Sequence, residues 1–277
     1  MPELPEVETI RSELAKVVVG RTVRAVVVGR PDIIGFPSVR QFTKGVVGRK
    51  ITGMRRIGKY LVLELENGDE LIFHLRLSGH LEIGNGRSQP RFERARFMLS
   101  GGATLSFVEP RALGRVYLVN NQKYPRCLAG MVQMGPEPIA PDFTAGYLAA
   151  RLEGRKASIK SLLLDQRVCC GVGNIYSDEA LFRAGIRPTR RAGSLCRAEV
   201  ARLCRSLRSV LRDGIRWCGT TLKDGRYLRT GAQSGRFQRR LKVVGRAGEL
   251  CRAGCGAEVR RLRFGNRSSY FCPKCQH

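Results

Sequence analysis

The first apolar pattern along the chain has a helical period. Val7, Ile10, Leu14 and Val17 recur every three or four residues, which predicts an amphipathic helix starting near Pro5. Proline is tolerated in a first helical turn, where the N–H it lacks would have no partner. Beyond this helix the period shortens. Short β-branched runs predict strands over 22–28, 50–57, 60–66, 70–75, 95–99, 104–108 and 115–119. In 60–66, Leu61, Leu63 and Leu65 point one way and Tyr60, Val62 and Glu64 the other. Asn67-Gly68 predicts a type I′ hairpin turn to the next strand. Many short strands separated by turns predict an antiparallel sandwich or barrel.

After residue 142 the period is helical again. Apolar faces run over 147–152 and 159–164, and 175–183 is a helix that Gly185 and Pro188 stop. Val200, Leu203, Cys204, Leu207, Val210, Leu211 and Ile215 predict a long amphipathic helix with Ser194 as its N-cap. The prolines and glycines between the halves, Pro125 to Pro141, read as an interdomain linker. The segment 220–236 is rich in glycine, arginine and polar residues and reads as a loop. The fold class is therefore α+β. A helix and antiparallel β-sandwich occupy 1–125, a linker 126–142, a helical domain 143–240, and short strands with clustered cysteines 241–277.

Charge narrows the function. The 277 residues are 43% apolar, enough for globular cores, yet the formal net charge is +27 and the pI about 10.7. Such an excess suits a polyanion, most simply nucleic acid, with an anionic membrane surface as the alternative. No stretch approaches the roughly 18 apolar residues of a membrane span. Pro2 and Glu3 do not open a signal peptide. The reading is a cytoplasmic, nucleoid-associated protein and not a membrane protein.

Four of the ten cysteines crowd the C-terminus. Cys251-x3-Cys255 and Cys272-x2-Cys275 are two close pairs, the pattern of a β-hairpin zinc ribbon holding one structural Zn2+. Four thiolates leave no open position for catalysis. Arg260, Arg261, Arg263 and Arg267 between the pairs suit a phosphate surface.

The chain start carries a second chemistry. An initiator methionine before proline is normally removed, which leaves Pro2 as a secondary amine followed by Glu3 and Glu6. An α-amine has a pKa of about 7.7–8.0, so a useful fraction is neutral at pH 7. The helix end lowers that value and the carboxylates raise it. Such an amine attacks an aldehyde-like carbon to give an iminium, and the acids move protons. Proline and glutamate are also ordinary helix-start residues.

Pro2-Glu3-Leu4-Pro5-Glu6-Val7-Glu8-Thr9 resembles the start of formamidopyrimidine-DNA glycosylases of the Fpg/Nei family. Further segments resemble it in order over nearly the whole chain. Ile57-Gly58-Lys59-Tyr60-Leu61 matches the hairpin whose lysine reaches the active site. Alone, Lys59 is an exposed strand lysine. His74-Leu75-Arg76-Leu77-Ser78-Gly79 matches a segment whose histidine binds phosphate and whose fourth residue fills the gap left by an extruded nucleotide. Leu77 stands where methionine is usual; leucine too can wedge into a base stack. Glu109-Pro110-Arg111-Ala112-Leu113-Gly114 resembles the family's Asp-Pro-Arg-Arg-Phe-Gly loop. There Arg111 faces the orphaned base, and Leu113 replaces the usual phenylalanine wedge. Gly171-Val172-Gly173-Asn174-Ile175-Tyr176 places Asn174 on a phosphate at a helix start, Lys160 matches a lysine near bound DNA, and Arg267 matches the zinc-finger arginine on flanking phosphates.

The resemblance implies a helix–two-turns–helix element in the helical domain. It also implies a monomeric, bifunctional glycosylase and AP lyase that excises oxidised purines from damaged double-stranded DNA. Pro2 is then the nucleophile, Glu3 protonates the sugar-ring oxygen, and Glu6 and Lys59 support them. The alternatives are a family member tuned to another lesion, such as an oxidised pyrimidine or bulky adduct, and a DNA-binding zinc protein without activity.

Overall fold

The computed structural model describes residues 1–120, 123–222, 227, 229–230 and 233–277. The chain forms two compact units, 1–133 with 218–236 and 134–217 with 237–277. The sequence reading places 220–236 with the helical half. Its described part packs on the first unit instead, because the buried Tyr227 ring joins that unit's core. The rest of the expected loop, 223–226, 228 and 231–232, lies outside the described residues.

In the first unit, α1 (Leu4–Val18) buries Leu4, Val7, Ile10, Leu14 and Val18. Val18 closes the stripe rather than the expected Val17, since four residues after Leu14 returns to the same face. Two sheets form the sandwich. The four-stranded sheet has the order β1 (Val23–Val28), β7 (Glu93–Leu99), β8 (Thr104–Val108), β6 (His80–Gly84). The five-stranded sheet has the order β2 (Ile34–Phe36), β9 (Arg115–Val119), β5 (Glu70–His74), β4 (Tyr60–Leu65), β3 (Ile51–Ile57). Neighbours are antiparallel except β2 and β9, which run parallel. Leu61, Leu63, Leu65 and Phe73 meet Phe97, Leu105 and Phe107 in one core, as the alternation in 60–66 requires.

Among the described strands and α-helices, four escaped the sequence reading: β2, β6, α2 (Val39–Val46) and the one-turn α3 (Ala129–Val132) inside the expected linker. The signal for α2 was present, since Ser38 and Gln41 form a capping box. The Asn67-Gly68 turn is also a correction. Only Gly68 has positive φ (+82°), whereas a type I′ turn needs it at both central residues. The Gly68 N–H donates to Leu65 O at 2.9 Å and Leu65 pairs with Asp69, which is a three-residue loop with a left-handed glycine.

In the second unit, α4 (Ala145–Leu152) and α5 (Ile159–Leu164) are capped by Thr144 and Ser158, whose hydroxyls accept from the Tyr147 and Ser161 N–H. Then come α6 (Asn174–Ala184) and α7 (Arg197–Arg216). Gly185, left-handed at φ +69°, ends α6. The cap of α7 is Cys196, not Ser194: Glu199 accepts the Cys196 N–H at 2.9 Å, and Ser194 lies in a preceding 3-10 turn. The unit ends in the hairpin of β10 (Arg260–Phe264) and β11 (Arg267–Phe271).

Candidate functional site

At the start of α1, Glu3 is the N-cap and forms a reciprocal capping box with Glu6. The Glu3 N–H donates to Glu6 Oε2 at 2.9 Å, and Glu6 Oε1 accepts the Thr220 N–H at 2.7 Å. Both carboxylates are buried, Glu3 to 3% exposure and Glu6 to 1%. Gly219 crosses Glu6 so closely that a Cβ there would lie 2.9 Å from its side chain. Pro2 is buried beside them, while Met1 is exposed.

The β3–β4 turn brings Lys59 to the same unit. Gly58 has φ +56° and Lys59 does not share the positive φ, the pattern of a type II′ turn. Arg56 joins this turn to α1: its Nε donates to Glu8 at 2.9 Å and its Nη1 to Gly58 O at 3.2 Å. Lys59 is itself buried. His74 lies under Tyr60, with ring centroids 4.4 Å apart and edge-on. Burial, with the charges of Arg76 and Lys59, lowers the His74 pKa to about 3, so the ring is neutral at pH 7. Its Nδ1 accepts the Arg76 N–H at 3.2 Å, which leaves Nε2 as the protonated nitrogen, a donor suited to a phosphate oxygen.

Glu109 organises the two loops that carry Leu77, Arg111 and Leu113. It is fully buried and accepts from the Ser78 hydroxyl, from the Arg111 N–H at 3.1 Å and from the Gly114 N–H at 2.8 Å. Arg111 and Leu113 are exposed, and Leu77 is half-buried. Gly114 admits no side chain, since a Cβ would stand 2.6 Å from Phe107. Sequence reading quoted Glu109 within a motif but gave it no role. Its linking function depends on a contact to Ser78, thirty-one residues away.

In the second unit α6 is the hub. Asn174 at its first turn donates from Nδ2 to Ser268 O at 3.0 Å, next to the exposed Arg267. The structure thus brings Asn174 and Arg267 together. Lys160 is placed differently from a surface lysine: it is fully buried and pairs with Asp178 at 2.7 Å. Asp178 also accepts from the Ser269 hydroxyl at 2.7 Å and the Tyr270 N–H at 2.9 Å. Burial pushes the Asp178 carboxyl up to about 6, against the pull of Lys160. Glu179, raised by burial, accepts the N–H groups of Lys242, Val243 and Val244 at 2.9–3.0 Å. No periodicity marks these two acids as buried, and the sequence reading missed their role.

The sulfurs of Cys251, Cys255, Cys272 and Cys275 all lie within 4.8 Å of one another. A tetrahedral zinc with bonds of about 2.3 Å sets sulfurs about 3.8 Å apart. Cys251–Cys275 at 3.9 Å and Cys255–Cys272 at 3.5 Å fit that spacing. The extra residue of the first knuckle is absorbed at Gly254, left-handed at φ +74°, whose N–H donates to Cys251 O at 3.0 Å. The four cysteines form a site for one structural Zn2+.

Three family profiles match in succession: the formamidopyrimidine-DNA glycosylase N-terminal domain over 1–116, its H2TH domain over 134–225, and the zinc finger found in FPG and IleRS over 240–277. The formamidopyrimidine-DNA glycosylase of Pelotomaculum thermopropionicum is 41% identical over 277 residues, covering 100% of this chain and 99% of the relative.

The chain belongs to the formamidopyrimidine-DNA glycosylase family.

Solved members of the family share the fold. The Thermus thermophilus Fpg (MutM) protein aligns at TM-score 0.90 and 40% identity, over 99% of this chain and 98% of that one. The Lactococcus lactis formamidopyrimidine-DNA glycosylase bound non-covalently to DNA with an AP site aligns at 0.89 and 31%, over 99% of each chain. Among the described residues no helix is long and apolar enough to cross a membrane.

Proposed function

We propose that this formamidopyrimidine-DNA glycosylase excises oxidised purines, 8-oxoguanine and formamidopyrimidines, from duplex DNA and then cleaves the abasic site. One observation carries the reading: buried Glu3 and Glu6 are locked together by hydrogen bonds at a helix start that directly follows Pro2. Exposed Met1 is accessible to an aminopeptidase, whose cut frees the Pro2 nitrogen.

The damaged nucleotide leaves the stack so that its sugar can be reached. The Pro2 nitrogen bonds to C1′ and the N-glycosidic bond breaks, its electrons leaving with the base. Glu3 gives a proton to the ring oxygen, which opens the sugar to an iminium. The iminium acidifies C2′–H, and β- then δ-elimination expel the two phosphates. Glu6 holds the Glu3 backbone, and Lys59 supplies positive charge near the reacting nucleotide. His74 Nε2–H, Asn174 and Arg267 grip phosphates. Arg111 offers its donors to the orphaned base, and Leu77 and Leu113 fill the vacated stack. Lys160 supports the DNA-binding side through Asp178 and the zinc hairpin. The protein works as a monomer on damaged double-stranded DNA in the bacterial cytoplasm, at the nucleoid.

Borohydride trapping tests the reading. Processed protein with abasic or 8-oxoguanine duplex is expected to give a crosslink that maps to Pro2, and chain start blocked by Met1 to give none. Equal crosslinking with Met1 retained would refute it. A panel of oxidised-purine, oxidised-pyrimidine and bulky-adduct duplexes decides the lesion, with the purines expected to be cut fastest.

A further inference from the structure

The described part of 218–236 is fixed to α1 at two places. At the near end the Thr220 N–H donates to Glu6 Oε1 at 2.7 Å. At the far end Glu13 accepts from Arg229 Nε at 2.7 Å, from the Thr230 N–H at 3.2 Å and from the Thr230 hydroxyl. Glu6 and Glu13 stand seven residues apart, two turns of helix, and so share a face.

Between these ends the segment is cross-braced. The Arg229 N–H donates to Gln233 O at 2.8 Å. The Gly235 N–H donates to Thr221 Oγ1 at 2.8 Å, and that hydroxyl donates to Tyr227 O at 2.8 Å. The Tyr227 hydroxyl donates to Cys218 O at 3.1 Å while its ring is buried in the core. Glu6 then passes the restraint on, because its other oxygen holds the Glu3 N–H. The braces therefore run from Glu13 to the residue after Pro2.

Nothing within α1 calls for Glu13. It lies outside the first and last turns of the helix, so neither capping nor the dipole accounts for a carboxylate there. Its oxygens are turned to Arg229 and Thr230, and both members of the ion pair are mostly buried, at 19% and 20% exposure.

We propose that Glu13 is a positioning residue for the reaction at Pro2: through Arg229 and Thr230 it holds the described part of 218–236 on α1, and so keeps the Thr220 amide on Glu6 and Glu6 on the Glu3 amide. The inference rests on the reading of Pro2 as nucleophile and adds the device that orients it. Without Glu13 the far anchor opens, the Thr220–Glu6 bond is made a smaller fraction of the time, and the first turn of α1 frays.

The test uses the processed full chain and three variants: Glu13→Ala, Arg229→Ala, and the swap Glu13→Arg with Arg229→Glu. Hydrogen exchange at the Thr220 amide reads the coupling itself. Borohydride trapping on abasic duplex at saturating protein, followed against pH, reads its consequence. Affinity for duplex with a tetrahydrofuran abasic analogue and the thermal midpoint serve as controls. In Glu13→Ala, Thr220 exchange is expected to speed up and trapping to slow, each by about ten-fold. The pH profile of trapping should move, affinity should stay within about two-fold, and the swap should recover part of both effects. Unchanged exchange at Thr220 overturns the inference whatever the chemistry does. Faster exchange with an unmoved pH profile, or a trapping loss that only follows loss of folded protein, overturns the positioning role. A parent protein that does not trap at all removes the Pro2 reading instead, and the exchange experiment still decides whether Glu13 holds the segment.

Discussion

Two sets of buried carboxylates use one physical device in different ways. Glu6 in the first unit and Glu179 in the second both sit on helices, and both accept backbone N–H groups from chain far away in sequence. Glu179 lies mid-helix in α6 and takes three successive amides, Lys242 to Val244, which fastens the approach to the zinc hairpin. Beside it Asp178 fastens the hairpin itself through Ser269 and Tyr270. Glu6 instead lies in the first turn of α1, and its second oxygen holds the amide of the residue after Pro2. Satisfying buried amides is structural in both places. At the chain start the restrained backbone adjoins Pro2, the nucleophile proposed above.

The largest effect expected comes from removing zinc. Structural zinc contributes about 10–16 kcal/mol in zinc-finger peptides. Chelation or Cys255→Ser should unfold the 251–275 hairpin and deprive Asp178 of Ser269 and Tyr270. Circular dichroism and duplex affinity should fall together; retained DNA affinity would separate the hairpin from the DNA surface.

Next come the carboxylates themselves. Glu179→Ala leaves the buried Val243 and Val244 N–H groups without acceptors, each costing about 1–3 kcal/mol, and opens the Lys242 N–H to water. Urea unfolding should show a loss of at least about 2 kcal/mol, with excision falling only as folded protein is lost. Glu6→Gln should cost less stability, roughly 1 kcal/mol, yet slow excision in fully folded protein. The same stability-limited loss in both would erase the contrast.

An effect spread over several pH units concerns His74, on the five-stranded sheet. Unfolded, its imidazole takes a proton near pH 6.5; folded, it resists until about 3. The unfolded state binds more protons in that window, so stability is lost as pH falls from 6.5 towards 3, by at most about 1.4 kcal/mol per unit. His74→Gln should flatten this part of the pH–stability curve, and equal unfolding free energies from urea titrations at pH 7 and 5 would show a native ring that takes up its proton as the unfolded one does. The smallest change is expected for Arg267→Ala: loss of one phosphate contact reduces the slope of log affinity against log salt by about 0.9.

The residues quoted for the resemblance were legible because they are short local strings, and the cysteine pairs because their spacing carries the metal chemistry. The sandwich was legible from alternation, except at β2, which has only three residues; β6 carries the alternation in His80, Leu81, Glu82 and Ile83 and was passed over despite it. Lys160 shows the limit. A lysine in a helix reads as a surface charge, and its buried ion pair is made with Asp178, eighteen residues on.

By itself the sequence determined the helix at the chain start, seven of the nine sandwich strands, the longer amphipathic helices, the zinc ligands and the family, because each rests on periodicity, spacing or a local motif within a few dozen residues. The tertiary structure alone decided what Glu6, Glu13, Glu109, Asp178 and Glu179 hold, and that the described part of 218–236 belongs with α1. A buried carboxylate is stable only where distant amides, hydroxyls or cations reach it, and no local pattern in the chain records which ones do.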